Sequence, residues 1–209
     1  MWWSAALAWA GPTYDELKEQ AIAARDALVW ERELGADDVP VRAKEAFAVA
    51  VHDLLPAWEG TPWAMNGTTE VPGQGAVACG YFVATVLRDA GLPVQRISLA
   101  QRGAEDIIRT LTDESTIRRY WGATVDTVLG DHTDDGVYVV GLDWHVGLLV
   151  VTRGEATFCH ASRSQQKRVL CEAAATTSSL RSRYTVVGEL SQTTIDAWLS
   201  QDVLPTVTD

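Results

Sequence analysis

Apolar residues recur at three- and four-residue intervals at the start of this chain and at alternate positions near its end. Between Thr13 and Trp30, Leu17, Ala21, Ala24 and Leu28 fall on one helical face, and Thr13 with Glu16 is placed as a capping box, so an amphipathic helix is predicted. Asp38-Val39-Pro40 opens a second helix with Ala43, Phe47, Ala50, Val51 and Leu54 on its inner side. It is predicted to run to about Leu55 and to stop at Pro56. Together the two make an N-terminal helical layer.

From Gly60 to Ala78 the sequence turns to Gly, Pro, Thr and Asn with no helical period, which predicts a long shaped loop. A loop of that length inside a domain is uncommon unless it serves a function. Helical spacing returns from Cys79 to Ala90, with Phe82, Val83, Val86 and Leu87 apolar and Gly91 and Pro93 as stop signals. Further helices are predicted over Ala100 to Leu111, Ser115 to Trp121 and Gln192 to Leu199. Five β-branched runs bounded by turn residues predict strands: Gly136 to Leu142, Trp144 to Val151, Ala156 to His160, Arg168 to Glu172 and Arg183 to Leu190. Helices first and consecutive short strands afterwards predict an α+β domain, an antiparallel sheet with the Cys79 helix packed on it. On this reading residues 1–58 form a helical extension and residues 59–209 the core.

Composition narrows the class. Apolar residues at 47% and charged residues at 22% match a folded globular chain rather than a disordered one. Seventeen Lys and Arg against 28 Asp and Glu give a formal charge of −11, which repels phosphate backbones and argues against nucleic acid as a partner. No apolar run reaches the roughly 20 residues of a membrane-spanning helix. Met1 to Ala10 is a short apolar stretch ending Ala8-Trp9-Ala10, readable either as an atypical export signal without a basic start or as a segment that packs on the domain. Three cysteines without a C-x-x-C spacing offer neither a disulfide framework nor a zinc site. In an oxidising compartment Cys159 and Cys171, on neighbouring predicted strands, can be bridged, which leaves Cys79 as the free thiol.

The candidate chemistry centres on that thiol. A helix N-terminus favours the thiolate because its unpaired N–H groups and macrodipole attract negative charge, and the same N–H groups can receive an oxyanion. Cysteine catalysis also needs an imidazole brought from elsewhere in the fold. His145 interrupts an apolar strand in Trp144-His145-Val146-Gly147-Leu148, with Gly147 leaving room on its face, and is the candidate base. His160 ends the next strand and is the candidate orienting residue of a Cys-His-His triad. His52, on a helix, and His132, in an Asp-rich turn, are expected to be solvated.

A Gly-rich loop, then Cys79-Gly80-Tyr81-Phe82-Val83, then His145-Val146-Gly147-Leu148-Leu149-Val150-Val151, then His160-Ala161, resembles the NlpC-type cell-wall peptidase family. The resemblance covers about Gly60 to Ser162. The family usually has Asp-Cys-Ser-Gly at its nucleophile, where this chain has Ala78-Cys79-Gly80-Tyr81. The resemblance implies a papain-like fold, hydrolysis of amide bonds in peptidoglycan stem peptides by Cys79 with His145 as base, no metal or organic cofactor, and an extracytoplasmic setting, with a cytoplasmic one left open. Trp63, Asn66 and Gln74 in the loop, and Trp144 beside the base, are the candidate substrate contacts. Two other readings fit the same residues: a cysteine amidase or acyltransferase acting on a different amide, and an inactive ligand-binding module.

Overall fold

The first helix begins where its cap dictates. In a computed structural model that describes residues 11–164 and 166–207, α1 spans Tyr14–Glu33, and Thr13 and Glu16 exchange both bonds of the capping box. The segment Met1 to Ala10 lies outside the described residues. Helix α2 spans Val39–Trp58, three residues further than expected, with Pro56 inside its last turn, where the ring-locked φ suits the helix and one backbone donor is given up. The extra residues deliver Trp58 to the core, where it is fully buried and donates through its indole N–H to the Tyr14 hydroxyl (2.8 Å), which donates in turn to Asp89 (2.8 Å). Burying one such aromatic side chain is worth about 2–3 kcal/mol.

Helix α3 spans Cys79–Asp89, α4 Arg96–Ala100, α5 Ala104–Leu111, α6 Val125–Gly130 and α7 Gln192–Ser200. The expected helix over Ala100 to Leu111 is therefore two elements, α4 ending at Ala100 and α5 beginning at Ala104, with Gly103 as the N-cap of the second. The expected helix over Ser115 to Trp121 is a correction. Glu114–Thr116 form a 3-10 turn and Arg118–Trp121 form strand β1, in register with Val187 to Tyr184 of the last strand. Strand pairing across the sheet outweighs the local helical preference of that stretch.

The remaining strands are β2 (Gly136–Leu142), β3 (His145–Thr152), β4 (Glu155–Ala161), β5 (Val169–Ala173) and β6 (Tyr184–Glu189). They form one antiparallel sheet in the order β1-β6-β2-β3-β4-β5. The molecule is thus mixed α and β, with seven helices and six strands among the described residues. Alternation divides the sheet's side chains between two clusters. Val137, Val139, Val146, Leu148, Val150 and Val186 face the larger one, shared with α2, α3, α5 and α7, while Tyr138, Val140, Leu149, Phe158 and Val187 face a smaller one closed by α6. The two N-terminal helices contribute Phe47, Val51, Leu54 and Trp58 to the larger cluster, so they share one core with the rest of the chain.

Candidate functional site

The loop before α3 is held as a unit. Gly67, Thr68 and Val77 fold it back on itself, with Ala78 N–H donating to the Gly67 carbonyl (2.9 Å). Arg96, buried on α4, donates to the Thr85 hydroxyl of α3 (2.7 Å) and to the loop carbonyls of Thr68 (2.7 Å) and Thr69 (3.1 Å). Five guanidinium donors in a fixed plane suit this task of tying loop to helix. The other end of the loop pairs with the start of β5: Trp63 N–H donates to the Lys167 carbonyl (2.8 Å), and Val169 N–H to the Thr61 carbonyl (2.8 Å).

This anchored loop delivers Cys79 to the first position of α3. Its N-cap is Ala78, which has no side-chain acceptor for the first-turn N–H groups, so those donors have no side-chain cap. A capping side chain there is typically worth about 1 kcal/mol, which this helix forgoes. Gly80 explains part of the Ala-Cys-Gly-Tyr sequence. A Cβ at this position would lie 2.2 Å from the Ala100 carbonyl oxygen, so only glycine lets α4 approach the Cys79 helix this closely. Cys79 is a free, half-buried thiol, whereas Cys159 and Cys171, directly opposed on β4 and β5, are joined in a disulfide.

His145 opens β3 after the two-residue turn Asp143-Trp144. That turn is fastened from below: the Asp143 carboxylate accepts from the Ser182 hydroxyl (2.8 Å), Arg183 N–H (2.9 Å) and Tyr184 N–H (3.1 Å), and these bonds hold it below the usual carboxylate range. Cys79 and His145 line the same cleft, of about 370 Å3, together with Gly80, Leu142, Asp143 and Trp144 and with the corner between α4 and α5. Among the described residues no hydrogen bond joins the Cys79 thiol to the His145 ring.

His145 and His160 meet. His145 Nε2 lies 2.7 Å from His160 Nδ1, with the rings edge to face at 4.9 Å. His160 is buried at 3% exposure and stacks on Phe158, interplanar angle 18°. The space next to Gly147 belongs to that Phe158 ring, since a Cβ on Gly147 would come within 2.7 Å of it. Gly147 therefore bears on His145 indirectly, through the Phe158 ring that stacks on His160. On its far side, His160 Nε2 lies 3.4 Å from Glu172 Oε2, and the Ser179 hydroxyl donates to the same oxygen at 2.7 Å.

Burial governs the charges. Loss of solvent, and then the neighbouring His160, bring the His145 pKa down to about 3, so its ring is neutral at neutral pH. Burial lowers His160 as well, opposed by the Glu172 carboxylate. Burial raises the Glu172 carboxyl, but hydrogen bonds from Ser179, Thr177 and His160 outweigh it and hold the group below the usual carboxylate range.

Of the other candidates, Trp144 stands at the turn with 94% of its surface exposed and lines the cleft. Trp63 packs against the larger core cluster, and Asn66 and Gln74 are exposed on the loop; none of the three lines the cavities at Cys79 and His145, because the loop's bonds turn it toward β5. His52 is on the surface beside Asp53 (3.1 Å). His132 corrects the expectation of a solvated turn residue. It is buried at 7% exposure, meets the Tyr120 hydroxyl (3.2 Å) and packs edge-on to Tyr138, and burial lowers its pKa.

A second cavity of about 300 Å3 opens on the His160 side of His145, lined by Ser162, Ser164, Ser182, Arg163 and Arg181 among others. Neither this cavity nor Glu172 is foreseen from the sequence. The available signal for Glu172 is a single acidic residue in the otherwise apolar run Val169 to Ala173. Among the described residues there is no cluster of three or more His, Cys, Asp or Glu able to hold a metal ion, and no helix is long and apolar enough to cross a membrane. No family model, no curated protein and no solved structure matches the chain.

Proposed function

We propose that the protein is a cysteine hydrolase of papain-like architecture that cleaves an amide bond, with peptidoglycan stem peptides as the substrate class. One observation carries the reading: a free thiol at an uncapped helix start shares a cleft with an imidazole whose Nε2 is tied to a second imidazole, which leaves Nδ1 as the ring's other nitrogen. As the Cys79 sulfur attacks the carbonyl carbon, His145 Nδ1 takes the thiol proton, and the oxyanion is received by the N–H groups of the helix start. An oxyanion donor of this kind is worth roughly 3–4 kcal/mol in the transition state. Collapse of the tetrahedral intermediate returns the proton from His145 to the departing amine. Water, deprotonated by the same nitrogen, then hydrolyses the thioester.

With its pKa near 3, His145 begins as a neutral base, and proton transfer accompanies attack. The substrate class rests on the likeness of the Cys79, His145 and His160 segments to the cell-wall peptidases. The Arg163 and Arg181 cavity next to the imidazoles supports it too, since it offers positive charge to a peptide that carries carboxylates. The test is digestion of purified peptidoglycan beside a panel of simple amides, using the wild type and Cys79→Ala. Release of stem-peptide fragments by the wild type alone is the expected result. Turnover of the simple amides only would move the substrate away from the cell wall, and equal activity of C79A would remove Cys79 from the chemistry.

A further inference from the structure

Glu172 takes no part in the chemistry just described, yet its carboxylate ends a continuous line of polar atoms running to the cleft. Resting on the reading of His145 as the base, we propose that Glu172 is a positioning residue that fixes the tautomers of both imidazoles and so keeps His145 Nδ1 free of a proton.

The argument follows the protons. A carboxylate can only accept, and Glu172 lies below the ordinary carboxylate range. His160 Nε2, the nitrogen nearest to it, must then carry the hydrogen. In a neutral ring the other nitrogen, His160 Nδ1, is an acceptor, so the 2.7 Å contact is donated by His145 Nε2. The lone pair of His145 is thereby placed on Nδ1. Were Glu172 absent, nothing in the line would require this polarity, and a flipped chain with hydrogen on His145 Nδ1 could not accept the thiol proton.

The carboxylate is itself fixed. The Ser179 hydroxyl donates to Oε2 at 2.7 Å, shorter than the 3.4 Å approach of His160, so the oxygen keeps its place whether or not the ring bonds to it strongly. The backbone is fixed as well. Cys159 and Cys171 are paired in register and bridged, and they directly precede His160 and Glu172 in the sequence. On that register Glu172 stands opposite Phe158 and diagonal to His160, within reach across one strand spacing.

The experiment is nitrogen-15 NMR of the histidine rings at neutral pH in the resting wild type, Glu172→Gln and Glu172→Met, with hydrolysis measured in parallel. The wild type is expected to carry hydrogen at Nε2 of both His145 and His160. The side-chain amide of E172Q retains an acceptor oxygen, so that variant keeps these tautomers. The near-isosteric E172M has no comparable acceptor, and is expected to show hydrogen at His145 Nδ1 in a substantial fraction of molecules and to lose roughly tenfold to a hundredfold in kcat, within the range that base catalysis supplies. A wild type protonated at His145 Nδ1, or an E172M spectrum identical to that of the wild type, overturns the proposal. These readouts need no substrate. An amidase whose tautomers ignore Glu172 refutes this inference alone, whereas correct tautomers in a protein without amidase activity refute the hydrolase reading alone.

Discussion

The two faces of the sheet make different kinds of contribution to the site. The face covered by α2, α3, α5 and α7 is an apolar core, and it presents Cys79 at the end of a helix whose position is set by close packing. The opposite face carries a smaller cluster that gives way, at one end, to His145, His160 and Glu172 joined by hydrogen bonds. One face fixes Cys79 by excluded volume, the other fixes the two imidazoles by directional polar contacts. Volume tolerates no added atom, while a hydrogen-bonded line tolerates exchange of one acceptor for another but not its removal.

The sharpest way to break this comparison is to remove one proposed reacting group from each face. Cys79→Ala and His145→Ala are each expected to lower turnover by roughly four to six orders of magnitude with the circular dichroism spectrum unchanged, and His160→Ala to cost less, since residues acting as a unit fail together. A steady-state assay that finds either of the first two fully active would separate the faces from the chemistry.

Packing is tested by a single methyl group on each side. Gly80→Ala drives a Cβ against the Ala100 carbonyl, a backbone atom, and is expected to cost about 3 kcal/mol in a urea melt. Gly147→Ala meets the Phe158 ring, a side chain able to shift, and should cost about 1–2 kcal/mol while disturbing the His160 ring stacked on Phe158. Equal costs would mean that the two faces are packed alike.

Reducing the Cys159–Cys171 bridge, whose partners are 12 residues apart, should lower stability by about 2–3 kcal/mol. Before reduction, iodoacetamide should label Cys79 alone, as read by mass spectrometry of tryptic peptides.

The effect that is smallest per step is graded with pH. His132, His145 and His160 all have folded pKa values below that of an unfolded histidine, about 6.5. Their contribution to stability is complete above that value. It is lost on acidification toward the folded values, about 3 for His145, because the unfolded chain takes up protons that the folded one refuses. Each group can add a slope of at most about 1.4 kcal/mol per pH unit in that window. Denaturation midpoints between pH 7 and 4 should therefore fall in the wild type and fall less steeply in His145→Asn.

Local signals carry much of the fold. The capping box at Thr13, the Gly91 and Pro93 stops after α3 and the alternating strands are decided by nearby residues, and each element appears close to its expected bounds. Helix α6, a single six-residue stretch, has too little periodicity to be read, and β1 reads as helical because four residues cannot display a period of two against a helix-forming background. The order of chemistry along the chain is likewise legible: a cysteine after a turn-rich loop, then two histidines on successive strands. Trp63, Asn66 and Gln74 stand out by nearness in sequence to Cys79, but the loop's pairing with β5 carries them away from the cleft.

Short stretches of residues suffice to mark which side chains could be nucleophile, base and orienting partner, because helix starts and strand alternation are local properties. That His132 is buried and that Glu172 stands behind His160 emerge only when the chain is folded. Those facts depend on strand register, and register is the sum of many contacts between residues far apart in the chain, none of which a local pattern records.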